Sequence, residues 1–191
     1  MNMFNSITAC DSCNLYLNQK PLIQKSNSAE IFWVGLSAVK TSDNRDIPLS
    51  NNTNSGKLIN SIEYFIPEKS FHKTNLVKCL PLKNDKIRYP TIKEMKNCFF
   101  NLEKEINYLK PNYIFLLGKQ VASFILNHYG IKEYSLNDEF DYNFFNINSY
   151  KFIPIHHPSF ILIYKRKKLQ KYIDGIEAII RGNSQRSMGY V

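Results

Sequence analysis

Apolar and polar positions along the 191-residue chain alternate in blocks that predict strands separated by helices. Glu30-Ile-Phe-Trp-Val-Gly35 is a short, β-branched and aromatic run, the pattern of a buried strand. Leu58, Ile59, Ile62 and Phe65 recur at helical spacing over Gly56–Phe65. Thr74-Asn-Leu-Val-Lys-Cys79 predicts a second strand, and Thr91 with Glu94 three residues on forms a capping box that opens a helix to about Leu109. A fully apolar third strand, Pro111-Asn-Tyr-Ile-Phe-Leu-Leu-Gly118, leads into a helix over Lys119–Tyr129. Phe152 to Ile155 is a fourth strand, and Leu169, Tyr172, Ile173, Ile176, Ile179 and Ile180 mark an amphipathic final helix over Tyr164–Arg181. Gly130 to Tyr150 carries no readable period.

Strands alternating with helices predict one α/β domain over residues 1–191, a three-layer α/β/α fold around a central four-stranded parallel sheet. The loops after strands one, two and four then share one edge of the sheet, where open parallel sheets bind ligands. The loop from Ser37 to Ser55 is too long for a plain connector.

Lys and Arg outnumber Asp and Glu by 25 to 16, a net charge of +9 that suits a polyanion such as nucleic acid. No run approaches a membrane span and the first residues do not read as a secretory signal, so the expected setting is the cytoplasm. Four cysteines there are not expected to be two structural disulfides. Cys10-x-x-Cys13, Cys79 at a strand end and Cys98 on the next helix can hold zinc or an iron–sulfur cluster. A redox pair is also open, although Cys-x-x-Cys stands before a strand rather than after one; so are four independent buried thiols.

The candidate chemistry centres on Phe152-Ile-Pro-Ile-His-His-Pro-Ser-Phe160. It puts His156 and His157 at the carboxyl end of a strand, with Pro158 ending the strand and Ser159 available to cap the next element. The plainer alternative is a strand-end histidine and an exposed neighbour.

Taken together these pieces resemble the uracil-DNA glycosylase superfamily, in particular its bacterial and archaeal iron–sulfur families four and five. The likeness runs from Cys10 to about Ile180 and rests on the cysteine order, Thr74-Asn-Leu-Val-Lys-Cys79-Leu-Pro81, Leu109-x-Pro111 with Ile-Phe-Leu-Leu-Gly118 and Ala122, and His157-Pro-Ser159. It implies a DNA glycosylase, monofunctional and monomeric, that excises a uracil-like or modified base and leaves an abasic site. The resemblance also implies a structural [4Fe-4S] cluster on Cys10, Cys13, Cys79 and Cys98, with zinc as the alternative.

The first motif departs from the family. Gly35-Leu36-Ser37-Ala38 lacks the acid of family four and is nearer the Gly-Leu version of family five, with Asn44-Arg45 following. Leu49 stands where the family carries a base-stacking ring. By this likeness His157 stabilises charge on the leaving base, Asn75 reads its edge, and Gly35, Leu36, Ser37, Leu49 and Ser159 line the substrate site. Asp46, Asp43 or Asn52 would position the attacking water, unless these residues merely form turns. Phe160 falls where the family inserts a wedge, Leu162 is expected in the core, and Lys165, Arg166 and Lys167 would meet phosphates. The small and aliphatic residues around the site suggest a bulky phage-modified pyrimidine, hence antiviral defence, or a deaminated purine; Leu36 and Leu49 also allow a catalytically inactive DNA-binding module.

Overall fold

The computed structural model describes residues 2–41, 43, 46–182 and 187–190, the last four by backbone alone. Four parallel strands form the centre: β1 (Ile31–Ser37), β2 (Phe71–Val77), β5 (Tyr113–Leu117) and β7 (Tyr150–Ile155), in the order β2-β1-β5-β7. They are the four strands that the apolar runs predict. The sheet is wider and mixed, because β6 (Phe144–Ile147) pairs antiparallel with β7 and β8 (Ser187–Tyr190) pairs with β6. The segment without a readable period thus contains a hairpin: β6 turns into β7 through Asn148, which takes the left-handed conformation at φ 53°. Its alternation is only four residues long, too short to register against flanking aromatics. β3 (Leu82–Lys83) and β4 (Lys86–Ile87) make a separate small hairpin.

Successive β1 side chains enter opposite cores. Phe32 and Val34 pack with α1 (Met3–Thr8), α3 (Ile92–Leu109) and α4 (Lys119–His128), whereas Ile31 and Trp33 pack with α2 (Asn54–Tyr64), α5 (Pro158–Tyr164) and α6 (Leu169–Ile180). Burial of each large side chain contributes about 1.5–3 kcal/mol. The capping box of α3 forms as predicted, Thr91 Oγ1 accepting from the Glu94 N–H and Glu94 from the Thr91 N–H. The final helix begins at Leu169 instead of Tyr164, after α5 and a short 3-10 turn over Arg166–Lys168. Among the described residues no helix is long and apolar enough to cross a membrane.

One buried polar group ties the layers together. Lys78, fully buried just past β2, donates to Thr74 Oγ1, to the Asn75 carbonyl at 2.8 Å and to Glu105 Oε2 on α3. Thr74 Oγ1 also donates to Glu105 at 2.8 Å. Burial pushes the Glu105 carboxyl up, but the charge of Lys78 and the hydrogen bond it donates outweigh that, and the carboxyl lies below its ordinary range.

Candidate active site

The carboxyl ends of β1, β2 and β7 and the loop before α2 enclose a cleft of about 660 Å³. Gly35, Leu36 and Ser37 come from β1, Asn75 from β2, Leu49 from the loop, and His157 from the turn after β7. Six of the residues that the sequence nominates for one site therefore do meet. The topology is the reason: parallel strands put all their carboxyl ends on one edge.

His157 stands two residues past β7 and is itself the N-cap of α5. Its Nδ1 accepts from the Ser159 backbone N–H at 3.2 Å and lies 2.7 Å from Ser159 Oγ. Ser159 therefore orients His157 instead of capping the helix or lining the cleft; the imidazole holds the cap position because Pro158 supplies no N–H. An Nδ1 that accepts places the ring proton on Nε2, and burial depresses the pKa. His157 is thus a neutral imidazole offering one N–H donor. Gly118, at φ 92°, lets the start of α4 approach this ring, since a Cβ there would lie 3.1 Å from the His157 Cβ.

Asn75 is buried and is paired in register with Gly35. A Cβ on Gly35 would stand 2.4 Å from Asn75 Oδ1, so the glycine makes room for the carboxamide. Leu49 takes a left-handed backbone at φ 53°, an uncommon conformation for a bulky residue, over the first turn of α2. Gly56 permits that approach, because a Cβ there would overlap the Ser50 and Leu49 carbonyls.

Neither Asp46 nor Asn52 lines the cleft. Asp46 accepts from Thr41 Oγ1 (3.1 Å), the Ile47 N–H (3.0 Å) and Asn52 Nδ2 (3.3 Å). Burial raises its pKa, but these donors together with Ser50 outweigh that and lower it. The pair closes a turn, the role Asp and Asn commonly take in loops. Asp43 lies in the same turn, its carbonyl accepting from the Asp46 N–H. Ala38 is buried and also stays out of the cleft. Asn44 and Arg45 lie outside the described residues.

On α5, Phe160 is 36% exposed and stacks on His156 (centroids 5.5 Å apart, planes 17° apart), while Leu162 is partly buried and packs against the core. Ile163 and Tyr164 project further into solvent than Phe160. Of the basic run, Lys165 is paired with Asp138 at 2.6 Å and Lys168 lies 3.7 Å from Glu139. The acids come from the stretch with no readable period, so sequence spacing did not reveal them.

The four cysteines gather beside this edge. Cys79 follows β2, Cys98 is on α3, and Asn101, one turn on, donates to Cys10 Sγ at 3.3 Å. The Lys78 N–H points at Cys98 Sγ at 3.3 Å. Burial, together with the neighbouring Cys98, Cys13 and Cys10, pushes the Cys79 thiol up to about 12. Two thiols, Cys79 and Cys98, are held protonated by burial and by neighbouring cysteines, and two, Cys10 and Cys98, receive N–H donors; such a set suits a cationic centre that would reverse the effect of burial. Among the described residues no three His, Cys, Asp or Glu side chains are arranged to hold a metal ion.

The sequence reading missed the β3–β4 hairpin, whose Ile87, Arg88 and Tyr89 form one wall of the cleft. Its available signal was Asn84-Asp85 between Leu82-Lys83 and Lys86-Ile87, a two-residue turn with both central φ positive.

The model of the uracil DNA glycosylase superfamily matches residues 23–180. The type-4 uracil-DNA glycosylase of Archaeoglobus fulgidus is 25% identical over 179 residues, covering 90% of this chain and 86% of that protein. The type-4 uracil-DNA glycosylase of Saccharolobus solfataricus is 27% identical over 162 residues, covering 81% and 73%. In fold the chain is similar to the crystal structure of wild-type Pedobacter heparinus SMUG2, with a TM-score of 0.54, 16% identity, and coverage of 84% of this chain and 78% of that one. With a family model spanning most of its length and the cleft built at the expected sheet edge, the chain belongs to the uracil-DNA glycosylase superfamily.

Proposed function

We propose that the protein is a DNA glycosylase that draws a nucleotide out of DNA into the cleft and cleaves its N-glycosidic bond. The observation that carries this reading is the neutral His157, held by Ser159 so that an Nε2–H donor is left beside the Asn75 carboxamide in one cleft. As the bond breaks, positive charge develops on the sugar and negative charge on the departing base. A fixed donor stabilises that negative charge only as it forms, which is the condition for accelerating the step. Asn75 offers both a donor and an acceptor to the base edge. Water then adds to the sugar carbon, and the proton it sheds passes to the departed base, leaving an abasic sugar and a neutral base. An oxocarbenium-like centre demands little activation of its nucleophile, and the Ser37 and Ser55 hydroxyls line the cleft where a water could be held. Asp46 and Asn52 contribute by holding the loop that carries Leu49.

The base we favour is a pyrimidine with a bulky substituent, such as a hydroxymethylated or glucosylated cytosine of phage DNA, which would make the enzyme an antiviral factor. Leu49 replaces a ring, and a cleft of about 660 Å³ falls in the range that encloses ligands larger than a plain pyrimidine. Base release measured side by side from uracil-containing, hydroxymethylated and glucosylated DNA tests this; release from none of them would overturn the enzyme reading. The apolar Leu36 on the cleft wall supports the second reading, a binding module without catalysis, for which His157→Ala would weaken DNA binding and there would be no base release to lose.

Two further outcomes are expected. Gly35→Ala should push the Asn75 carboxamide aside and raise KM about tenfold, the cost of a lost hydrogen bond or two, with the melting temperature little changed. Arg166 and Lys167 have no ion pair among the described residues, unlike Lys165, so they are the free charges of that run. Replacing both by alanine should reduce the slope of log K against log salt by about 2, measured by DNA titration at several salt concentrations.

Cys10, Cys13, Cys79 and Cys98 would hold a [4Fe-4S] cluster whose contribution is structural, tying the N-terminal segment to β2 and α3. A cluster is broader than one ion, so its ligands stand further apart than four sulfurs at about 2.3 Å around zinc. The support for a shared centre is the electrostatic influence of Cys98, Cys13 and Cys10 on Cys79. Protein purified without oxygen should be brown, and Cys98→Ser should bleach the visible absorption and lower the melting temperature; a colourless, zinc-containing wild type would refute the cluster.

A further inference from the structure

We propose that Tyr89 supplies the flat surface against which the flipped base stacks, replacing the ring that position 49 lacks; this rests on the base-excision reading above. A base taken from its duplex loses two stacked neighbours, and a cleft that holds it needs an aromatic plane to offset that loss. Leu49 offers none. His157 presents a donor from its edge, which leaves Tyr89 as the ring on the wall able to lie against a base face.

Tyr89 is 72% exposed although it lines the cleft, and Ile87, two residues earlier, is 58% exposed. An aromatic and an aliphatic side chain left in water at the mouth of a site form a contact surface that awaits a ligand. The backbone beneath them is fixed. The Arg88 guanidinium grips Glu94 through two hydrogen bonds of 2.8 and 2.6 Å, and donates to the Leu82 carbonyl (3.1 Å) and to the Tyr89 carbonyl (2.9 Å). The Arg88 N–H binds the Pro81 carbonyl at 3.1 Å. Hydrogen bonding to Arg88 is the leading cause that holds the Glu94 carboxyl down at about 2, so the clamp persists across the working pH range. Glu94 also closes the capping box of α3, which docks the hairpin on the helix that carries Cys98. A pinned backbone under a solvated ring is a preorganised platform: little backbone freedom is lost when a base arrives. Stacking tolerates any base face, so discrimination would remain with Asn75.

The test compares wild type, Tyr89→Ala and Tyr89→Phe on duplexes carrying uracil or 5-hydroxymethylcytosine, with 2-aminopurine beside the target base to report flipping. Tyr89→Ala is expected to raise KM and weaken the flipping signal about tenfold, within the range for one stacked base, while the melting temperature and visible absorption stay put. Tyr89→Phe, which keeps the ring, should recover most of that loss. An unchanged KM in Tyr89→Ala, or a loss in Tyr89→Phe equal to that in Tyr89→Ala, would overturn the assignment. If wild type releases no base, the excision reading fails alone: the flipping signal still decides, supporting Tyr89 if the alanine variant lowers it and refuting Tyr89 if it does not.

Discussion

Replacing His157 by alanine is expected to slow base release about 10²–10³-fold at saturating DNA, the usual cost of removing one donor aimed at developing negative charge. The same change removes the N-cap of α5, worth about 1 kcal/mol of stability, so melting and single-turnover rates need to be measured together. Ser159→Ala should show a smaller loss in rate, because the Ser159 backbone N–H still fixes the tautomer when the hydroxyl is gone. The pH dependence follows from burial, which depresses the His157 pKa and also that of His156. A histidine whose folded pKa is lowered binds its proton more readily when unfolded. Its contribution to stability is therefore complete above the unfolded value of about 6.5 and is lost as pH falls through that value toward the folded one. Thermal unfolding should report declining stability below about pH 6.5, while the base-release rate stays flat until pH drops below the ordinary histidine range. A rate that falls with the first protonation near 6.5 would mean an imidazole in contact with water.

Replacing Glu105 by alanine is expected to cost about 3–5 kcal/mol of stability, because it leaves the ammonium of Lys78 buried without its counter-charge. Denaturant unfolding measures this directly. The double variant Lys78→Met with Glu105→Leu should recover much of the loss, since both charges leave together and the volume is kept. It would also remove the donor to the Asn75 carbonyl, so a refolded double variant with slower base release separates stability from the positioning of Asn75. His72 adds to the sensitivity of this region. Its Nε2 and Glu105 Oε1, 3.8 Å apart, are buried without hydrogen-bond partners among the described residues, so the carboxylate has no spare ligand to call on.

Much of the site was legible before the fold because parallel α/β order has one geometric consequence. Strands that begin on one edge end on the other, so Gly35, Asn75 and His157 had to share a rim. What could not be read was how each side chain is engaged there. Asp46 and Asn52 have the same residue types as water-positioning groups and as turn formers, and only the Thr41 and Ile47 donors, together with their own contact, assign them to the turn. Ser159 looks like a helix cap in sequence; the missing N–H of Pro158 and the direction of the His157 ring make the histidine the cap instead. Lys165 is a free charge in sequence and half of an ion pair in space, since Asp138 lies 27 residues away along the chain.

By itself, then, the order of apolar runs determined the four parallel strands, the two cores and the edge at which chemistry collects, because burial of alternating or helical faces is a local property of the chain. Tertiary structure alone decided the rest. The Lys78–Glu105 pair, the Arg88–Glu94 clamp under Tyr89 and the Lys165–Asp138 pair all depend on atoms brought together from distant or separately folded segments. Such contacts form only when packing excludes water and sets their distances, and no spacing along a sequence encodes that.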